Sequence, residues 1–503
     1  MNSATILAVD LGTTAIKCAL YDERGASVAE ATEEYALSTP QRNWVELDCE
    51  TYWSAFKRAV ERLDGPDRRL RSVAALGLSV QGETLVAVDR NGRPLRPAIV
   101  WLDNRAEAEA AELASAFDRE RLYDVTGQPE MLAAWPAAKI LWLARHEPQV
   151  AQQSPTYLLL EDYFLLRLTG ERVTEGSLAT STCYWNFRTK RWWPEMLDAI
   201  GIDEQQLPSL VEPGEVVGPL LPGVAAELGL PTDVTVCAGA LDQACGAIGA
   251  GNFGAGGFSE NTGAAVALCA TTGGPQMDPA GAMPCHYHAL PDTYMLHTFT
   301  SGGIVLKWFR DQFYGELGDG SHVYDRLDRL AADVAPGADG LLMLPHLQGA
   351  MAPENNDLAR GVLVGLTLGH GRPHILRAIM ESIAFIVRRN VEALTELGVP
   401  IASVRAIGGG SRSPLWKQIE ADVLGLPVVT MRQPDAGALG AAILAGVGVG
   451  WWSGIEEAVA ATVVEAATYE PDARNRGVYD ELFGVYVGAY EALLPSFDAL
   501  ARV

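Results

Sequence analysis

Asp10-Leu11-Gly12-Thr13-Thr14, with Lys17 three residues on, ends an apolar run with a carboxylate, a glycine and several donors. A carboxylate at the end of a buried strand is costly unless a cation or hydrogen-bond donors face it. Glycine beside it lets the backbone turn tightly, so that N–H groups can approach an anion. Asp10 could hold Mg²⁺ through water, and Thr13, Thr14 and Lys17 add donors for phosphate; an ordinary Asp-Gly turn is the competing reading. In Gly239-Ala240-Leu241-Asp242-Gln243, a glycine-rich segment enters a small-residue helix. Asp242 could cap that helix, or it could be the base that takes a proton from a hydroxyl in phosphoryl transfer.

Three further segments carry polar chemistry. Asn261-Thr262-Gly263 offers hydroxyl and amide groups for a transferred phosphate. Gly408-Gly409-Gly410-Ser411-Arg412-Ser413 follows a strand pattern and precedes a helix from Pro414, so a flat ring or a ribose can come close to its backbone. Gln81-Gly82-Glu83-Thr84 and Trp101-Leu102-Asp103-Asn104-Arg105 cluster neutral, acidic and aromatic groups suited to a polyhydroxylated ligand, with solvated loop ends as the alternative. Gly249-Ala250-Gly251-Asn252-Phe253-Gly254 matches GxGxxG but follows a helical pattern, which argues against a dinucleotide fold. No GxxxxGK[ST] occurs. His286-x-His288 has strand spacing and reads as a structural pair rather than a metal site.

The elements that must position these groups form two series. Ile6–Leu11, Ala15–Tyr21 and a third alternating segment read as strands, followed by a helix near Tyr52–Leu63 and a strand at Val73–Val80. A hairpin is expected from Leu85–Val88, the turn Asp89-Arg90-Asn91-Gly92 and Ala98–Trp101. The pattern restarts near residue 250, with strands at Ala264–Cys269, Leu341–Leu344 and Val404–Ile407 and a long helix over Pro373–Leu394. From about Tyr469 the chain reads as an amphipathic helix packed on the second half. The fold class is α/β, and a cleft between the halves is the natural ligand site.

In this order, the motifs resemble the FGGY carbohydrate kinases of the actin-like ATPase superfamily. The resemblance also rests on Trp44-Val45-Glu46-Leu47-Asp48, Lys139-Ile140-Leu141-Trp142-Leu143, Gly340-Leu341-Leu342 with Pro345, Ala359-Arg360-Gly361 and Ala436-Gly437-Ala438-Leu439-Gly440-Ala441-Ala442. It implies two ribonuclease-H-like domains facing a central cleft: 1–246, sugar-binding and catalytic, and 247–503, nucleotide-binding with a C-terminal helical extension. It implies ATP and Mg²⁺, with Asp10 positioning the metal and Asp242 as catalytic base. Gly12, Thr13, Thr14, Lys17, Thr262, Gly263, Gly303, Lys307, Gly409 and Ser413 would contact the nucleotide. Gln81, Gly82, Glu83, Trp101, Asp103 and Asp242 would line the sugar pocket.

Within the family, xylulose kinases usually carry Gln-Met-His-Gly at this pocket and glycerol kinases Gln-Arg-Glu-Thr; Gln81-Gly82-Glu83-Thr84 departs from both. Glu83 would accept hydroxyl donors and repel an acid such as gluconate, and Gly82 leaves space. The segment Gly408–Trp416 is closer to the xylulose kinases. The expected acceptor is therefore D-xylulose, with glycerol, a tetritol or another ketose as alternatives. An actin-like ATPase or a sugar-sensing pseudokinase is the alternative of a different class.

Composition agrees with a folded enzyme: 48% of residues are hydrophobic and 20% charged. Lys+Arg of 38 against Asp+Glu of 63 gives a net charge of −25, which disfavours nucleic acid and anionic membranes as partners. The expected partners are a small-molecule sugar and ATP, with a homodimer left open. Seven scattered cysteines without a CxxC pair suit a reducing compartment. The segment MNSATILAVDLG lacks the pattern of a signal peptide, and the uncharged stretch Ala436–Ile455 is too rich in Gly and Ala for a membrane span. The chain is expected to be soluble and cytoplasmic.

Overall fold

The computed structural model describes residues 4–153, 156–318, 321–433 and 435–502. Met1–Ser3, at the start of the segment read for a leader, lie outside them.

The first half is built on β1 (Thr5–Leu11), β2 (Ala15–Tyr21) and β3 (Ser27–Glu34), an antiparallel meander joined by tight turns. Helix α1 (Cys49–Leu63) crosses to β4 (Val73–Val80), which lies parallel to β1. β5 (Val216–Pro219), β6 (Thr235–Cys237) and β7 (Ala240–Leu241) complete the sheet, in the order β5-β6-β4-β1-β2-β3 with β7 also paired to β4. Ile6, Leu7, Ala8 and Val9 are all fully buried: the helix Ala436–Gly448 packs on β1, and α1 packs on its neighbours β2 and β3. That double burial explains why β1 reads as a continuous apolar run instead of an alternating one.

The second half repeats this topology. β8 (Phe258–Thr262), β9 (Ala265–Thr272) and, past the short edge strand β10 (Cys285–Tyr287), β11 (Tyr294–Ser301) form the antiparallel part. β12 (Val404–Ile407) runs parallel to β8, and β13 (Val428–Met431) parallel to β12. With β14 (Glu465–Tyr469) the order is β10-β11-β9-β8-β12-β13-β14. In each half the first strand ends at a glycine turn, Gly12 in one and Gly263 in the other, and each glycine donates its N–H to a carbonyl just across the turn.

The halves meet through two helices made of small residues. α2 (Asp242–Gly249) leaves the first half, and α3 (Ala436–Gly448) leaves the second half to lie against β1 and β4 of the first. A Cβ on Gly440 would stand 1.9 Å from the Cys245 carbonyl oxygen, and one on Gly249 2.0 Å from that of Ala436. Larger side chains at these positions would push the two backbones apart. Gly249 is therefore a packing glycine, and the GxGxxG match is part of a helix crossing. The division expected at 246/247 falls inside α2. The uncharged stretch from Ala436 is this buried helix and its turn, and among the described residues no helix is long and apolar enough to cross a membrane.

Boundaries differ from the sequence reading mainly at the C-terminus. Glu465–Tyr469 is an edge strand, and the amphipathic helix begins at Arg476 and runs to Leu500. It docks on the second half through Tyr479, whose hydroxyl meets Arg377 and Glu381. All seven cysteines are buried free thiols.

Candidate active site

Three parallel strand ends define the first wall. Leu11 of β1 pairs with Val80 of β4, and Val80 pairs with Leu241 of β7. Asp10, Gln81 and Asp242 therefore come to one edge of the sheet, on strands about 5 Å apart. Ser79 Oγ donates to Asp10 Oδ1 at 2.9 Å, and burial raises the Asp10 carboxyl above its ordinary range. Asp242 is the first residue of α2, with Leu241 at the cap position, so the capping role does not fall to it. Burial, then the negative fields of Asp10 and Glu83, lift the Asp242 carboxyl to about 7. A carboxylate held there can take a proton near neutral pH.

Glu83 sits in the left-handed region, with φ of 54°, beside Gly82. A Cβ on Gly82 would already stand 3.1 Å from Leu241, so this turn packs against the segment that leads to Asp242. Burial raises the Glu83 carboxyl, opposed by a hydrogen bond from Ser181 and the charge of Lys139. Gln81 is buried and donates from Nε2 to the Tyr52 hydroxyl at 3.2 Å, while its Oε1 has no partner. Trp101 bridges to the phosphate-side turn: its indole N–H donates to Thr13 Oγ1 at 2.9 Å.

Two expected residues are engaged elsewhere. Asp103 was expected in the sugar pocket, but it has no exposed surface, and its carboxylate accepts from Arg105 Nε (2.8 Å), Arg105 Nη2 (2.7 Å) and the Val45 amide. It is a structural counter-ion whose oxygens are already occupied. Lys17 lies opposite Asp10 in the β1–β2 register, but its Nζ is 2.6 Å from Asp435 and 3.4 Å from Glu30. Burial opposes its charge, yet Asp435 and Glu30 hold the ammonium above its ordinary range. Thr14 is exposed at the turn, and the Gly12 carbonyl accepts from the Tyr35 hydroxyl.

The second wall holds a cavity of about 440 Å³. Thr262, Gly263, Gly303, Lys307, Gly409 and Ser413, six residues from well-separated parts of the sequence, all line it, beside Tyr324, Asp328, Arg412 and Trp416. The glycines are there because the turns touch: a Cβ on Gly303 would lie 2.5 Å from the Gly263 carbonyl, and one on Gly410 2.4 Å from the Thr262 side chain. Ser413 Oγ donates to Asp328 at 2.6 Å and accepts the Trp416 amide, which caps the helix Pro414–Leu424. Behind the Thr262 hydroxyl, Glu260 pairs with Lys417 at 2.8 Å inside the core.

Asp328 and Lys139 are among the residues that the sequence reading did not place at the site. Asp328 lies in an ordinary charged helix and gives no local signal. Lys139 does give one: it interrupts the apolar run Ala137-Ala138-Lys139-Ile140-Leu141, and a lysine is rarely fully buried without partners. Its Nζ donates to the carbonyls of Glu83 (3.0 Å) and Val100 (3.1 Å), and burial pulls its pKa down to about 7.

Comparison with known proteins decides the family. The N-terminal domain of the FGGY family of carbohydrate kinases matches residues 5–249 and the C-terminal domain residues 261–449. The chain belongs to the FGGY family of carbohydrate kinases. As a member of this family it uses ATP as phosphoryl donor and a sugar as acceptor. It is 33% identical to a xylulose kinase of Escherichia coli over 97% of this chain and 99% of that one. It is 31% identical to a gluconokinase of Bacillus subtilis over 87% of this chain and 86% of that one. The structure of ligand-bound xylulose kinase from Lactobacillus acidophilus superposes with a TM-score of 0.89 at 28% identity, covering 99% of this chain and 100% of that one. The two actin-like, ribonuclease-H-like halves are thus the FGGY kinase fold.

Proposed function

We propose that this FGGY kinase phosphorylates a neutral ketopentose, converting D-xylulose to D-xylulose 5-phosphate with ATP. The observation that carries this reading is the set of acceptors on the first wall. Gln81 Oε1 is a buried acceptor without a partner, and Glu83 and Asp242 add carboxylates beside it. Buried polar atoms in folded proteins are nearly always satisfied, so a ligand rich in O–H donors is the natural complement. A carboxylate substrate such as gluconate would face Asp10, Glu83 and Asp242 together, while the ammonium of Lys139 is turned onto two backbone carbonyls.

In this reading Asp242 accepts the proton of the attacking sugar hydroxyl, Gln81 and Glu83 orient the sugar, and Trp101 covers it. Thr262, Gly263, Gly303 and Lys307 hold the phosphates, and Gly409 and Ser413 flank the adenosine. The donor set around Asp10 suits magnesium, a hard cation that takes one or two carboxylates together with water and nucleotide phosphates. When bound, the ion would neutralise phosphate charge. The halves divide near 246/247, with catalysis and sugar in the first and nucleotide in the second, and the cytoplasm is where such a kinase meets ATP and its sugar.

A sugar panel tests the proposal. ADP formation should show kcat/KM for D-xylulose about tenfold or more above that for gluconate, glycerol or erythritol, the discrimination expected when polar groups are left unpaired or like charges meet. A preference for gluconate would overturn the choice of a neutral acceptor.

A further inference from the structure

Glu83 is a non-glycine residue held at φ 54°, a conformation that is unfavourable for residues with a side chain. Strained backbone of this kind persists only where the surroundings over-determine it, and it concentrates at functional sites. Here a buried lysine bonds the backbone of the turn. Lys139 stands on the helix Pro136–His146 with no exposed surface. Its ammonium donates to the Glu83 carbonyl at 3.0 Å and to the Val100 carbonyl at 3.1 Å. Val100 immediately precedes Trp101, so one side chain ties together the two loops that carry the acid and the aromatic cover of the first wall. Ser181 and the charge of Lys139 both favour the ionised Glu83 carboxyl against its burial.

We infer that Lys139 is a positioning residue for sugar recognition, fixing Glu83 in its left-handed conformation and setting the distance between Glu83 and Trp101. This rests on the assignment of Glu83 and Trp101 to the sugar pocket. A carbonyl accepts more strongly from a charged donor than from a neutral one, so loss of the ammonium releases both loops together. Both carbonyls that Lys139 holds belong to loops of the first wall, so its effect should fall on the sugar alone.

The test is a double-mutant cycle on the sugar that the wild-type enzyme turns over best. Lys139→Met should raise KM for that sugar about tenfold or more, because a small misplacement of a binding group is costly, while KM for ATP stays within about twofold. In the Glu83→Ala background, Lys139→Met should add less than about threefold, since the two residues act through one another. Lys139→Gln, which keeps a neutral donor on a shorter arm, runs in parallel, and the cycle is read from whichever variant retains wild-type ADP affinity. Additive effects, an unchanged sugar KM, or equal losses for sugar and ATP would overturn the inference. Failure of both variants to fold would also overturn it, by making Lys139 a core strut. If the wild-type enzyme turns over no sugar in the panel, it is the reading of the pocket that fails.

Discussion

Asp242→Asn is expected to lower kcat by about 10²–10⁴-fold, the range a positioned general base contributes. Asparagine preserves the size of the side chain and its place at the start of α2 but cannot accept the proton. Nucleotide affinity should be unchanged, because the 440 Å³ cavity is lined by residues of the second half. The pH profile adds a second signature. Burial and the fields of Asp10 and Glu83 raise Asp242 to about 7, so in the wild-type enzyme kcat/KM should climb with pH and level off above that value. The residual activity of the variant should lack this limb. The same shift has a stability consequence. Between the ordinary value of 3.8 and about 7, the folded state binds a proton that the unfolded state releases, so stability falls as pH rises through that window. Asp242→Asn should therefore unfold at a higher temperature than wild type at pH 8. Near-normal turnover of a folded Asn variant would remove Asp242 from the role of base.

Gly440→Ala should cost a large share of the fold's stability for a single methyl group. The added Cβ would lie 1.9 Å from the Cys245 carbonyl oxygen and 2.6 Å from its carbon, where both neighbours are backbone and neither can rotate away. Overpacking of this kind costs roughly 1–3 kcal/mol and sometimes more. Its effect spreads beyond one helix, since α3 belongs to the second half and packs on the first. Gly484→Ala supplies the contrast. That glycine lies within the helix Arg476–Leu500 with nothing within 4 Å of an added Cβ. There the same substitution should stabilise by about 0.5–1 kcal/mol through helix propensity. Urea unfolding of the two variants side by side should shift the midpoints in opposite directions, and equal midpoints would contradict the packing account.

Local motifs and their order along the chain were legible because each rests on short-range chemistry: glycine turns after strands, a serine before a helix, a carboxylate at a strand end. Thr262, Gly263, Gly303, Lys307, Gly409 and Ser413 could be chosen individually from the sequence, and the fold gathers them around one cavity. The partners of charged residues were not legible. Asp103 looks like a pocket acid in Trp101-Leu102-Asp103, and only the fold turns Arg105 back onto it. Lys17 looks like a phosphate ligand, and Asp435, which captures it, lies 418 residues away in sequence. Lys139 was visible as a motif letter, but its work depends on two carbonyls from separate loops. Long-range pairing of this kind leaves no periodicity to read.

In the proposed function, phosphoryl transfer requires a sugar hydroxyl poised against Asp242. ADP release by the full chain, measured with ATP and magnesium in the presence and absence of D-xylulose, tests it most directly. ADP should form only with the sugar, in equal amount to D-xylulose 5-phosphate. ADP formed at the same rate without sugar, or with sugar but without a phosphorylated product, would contradict it.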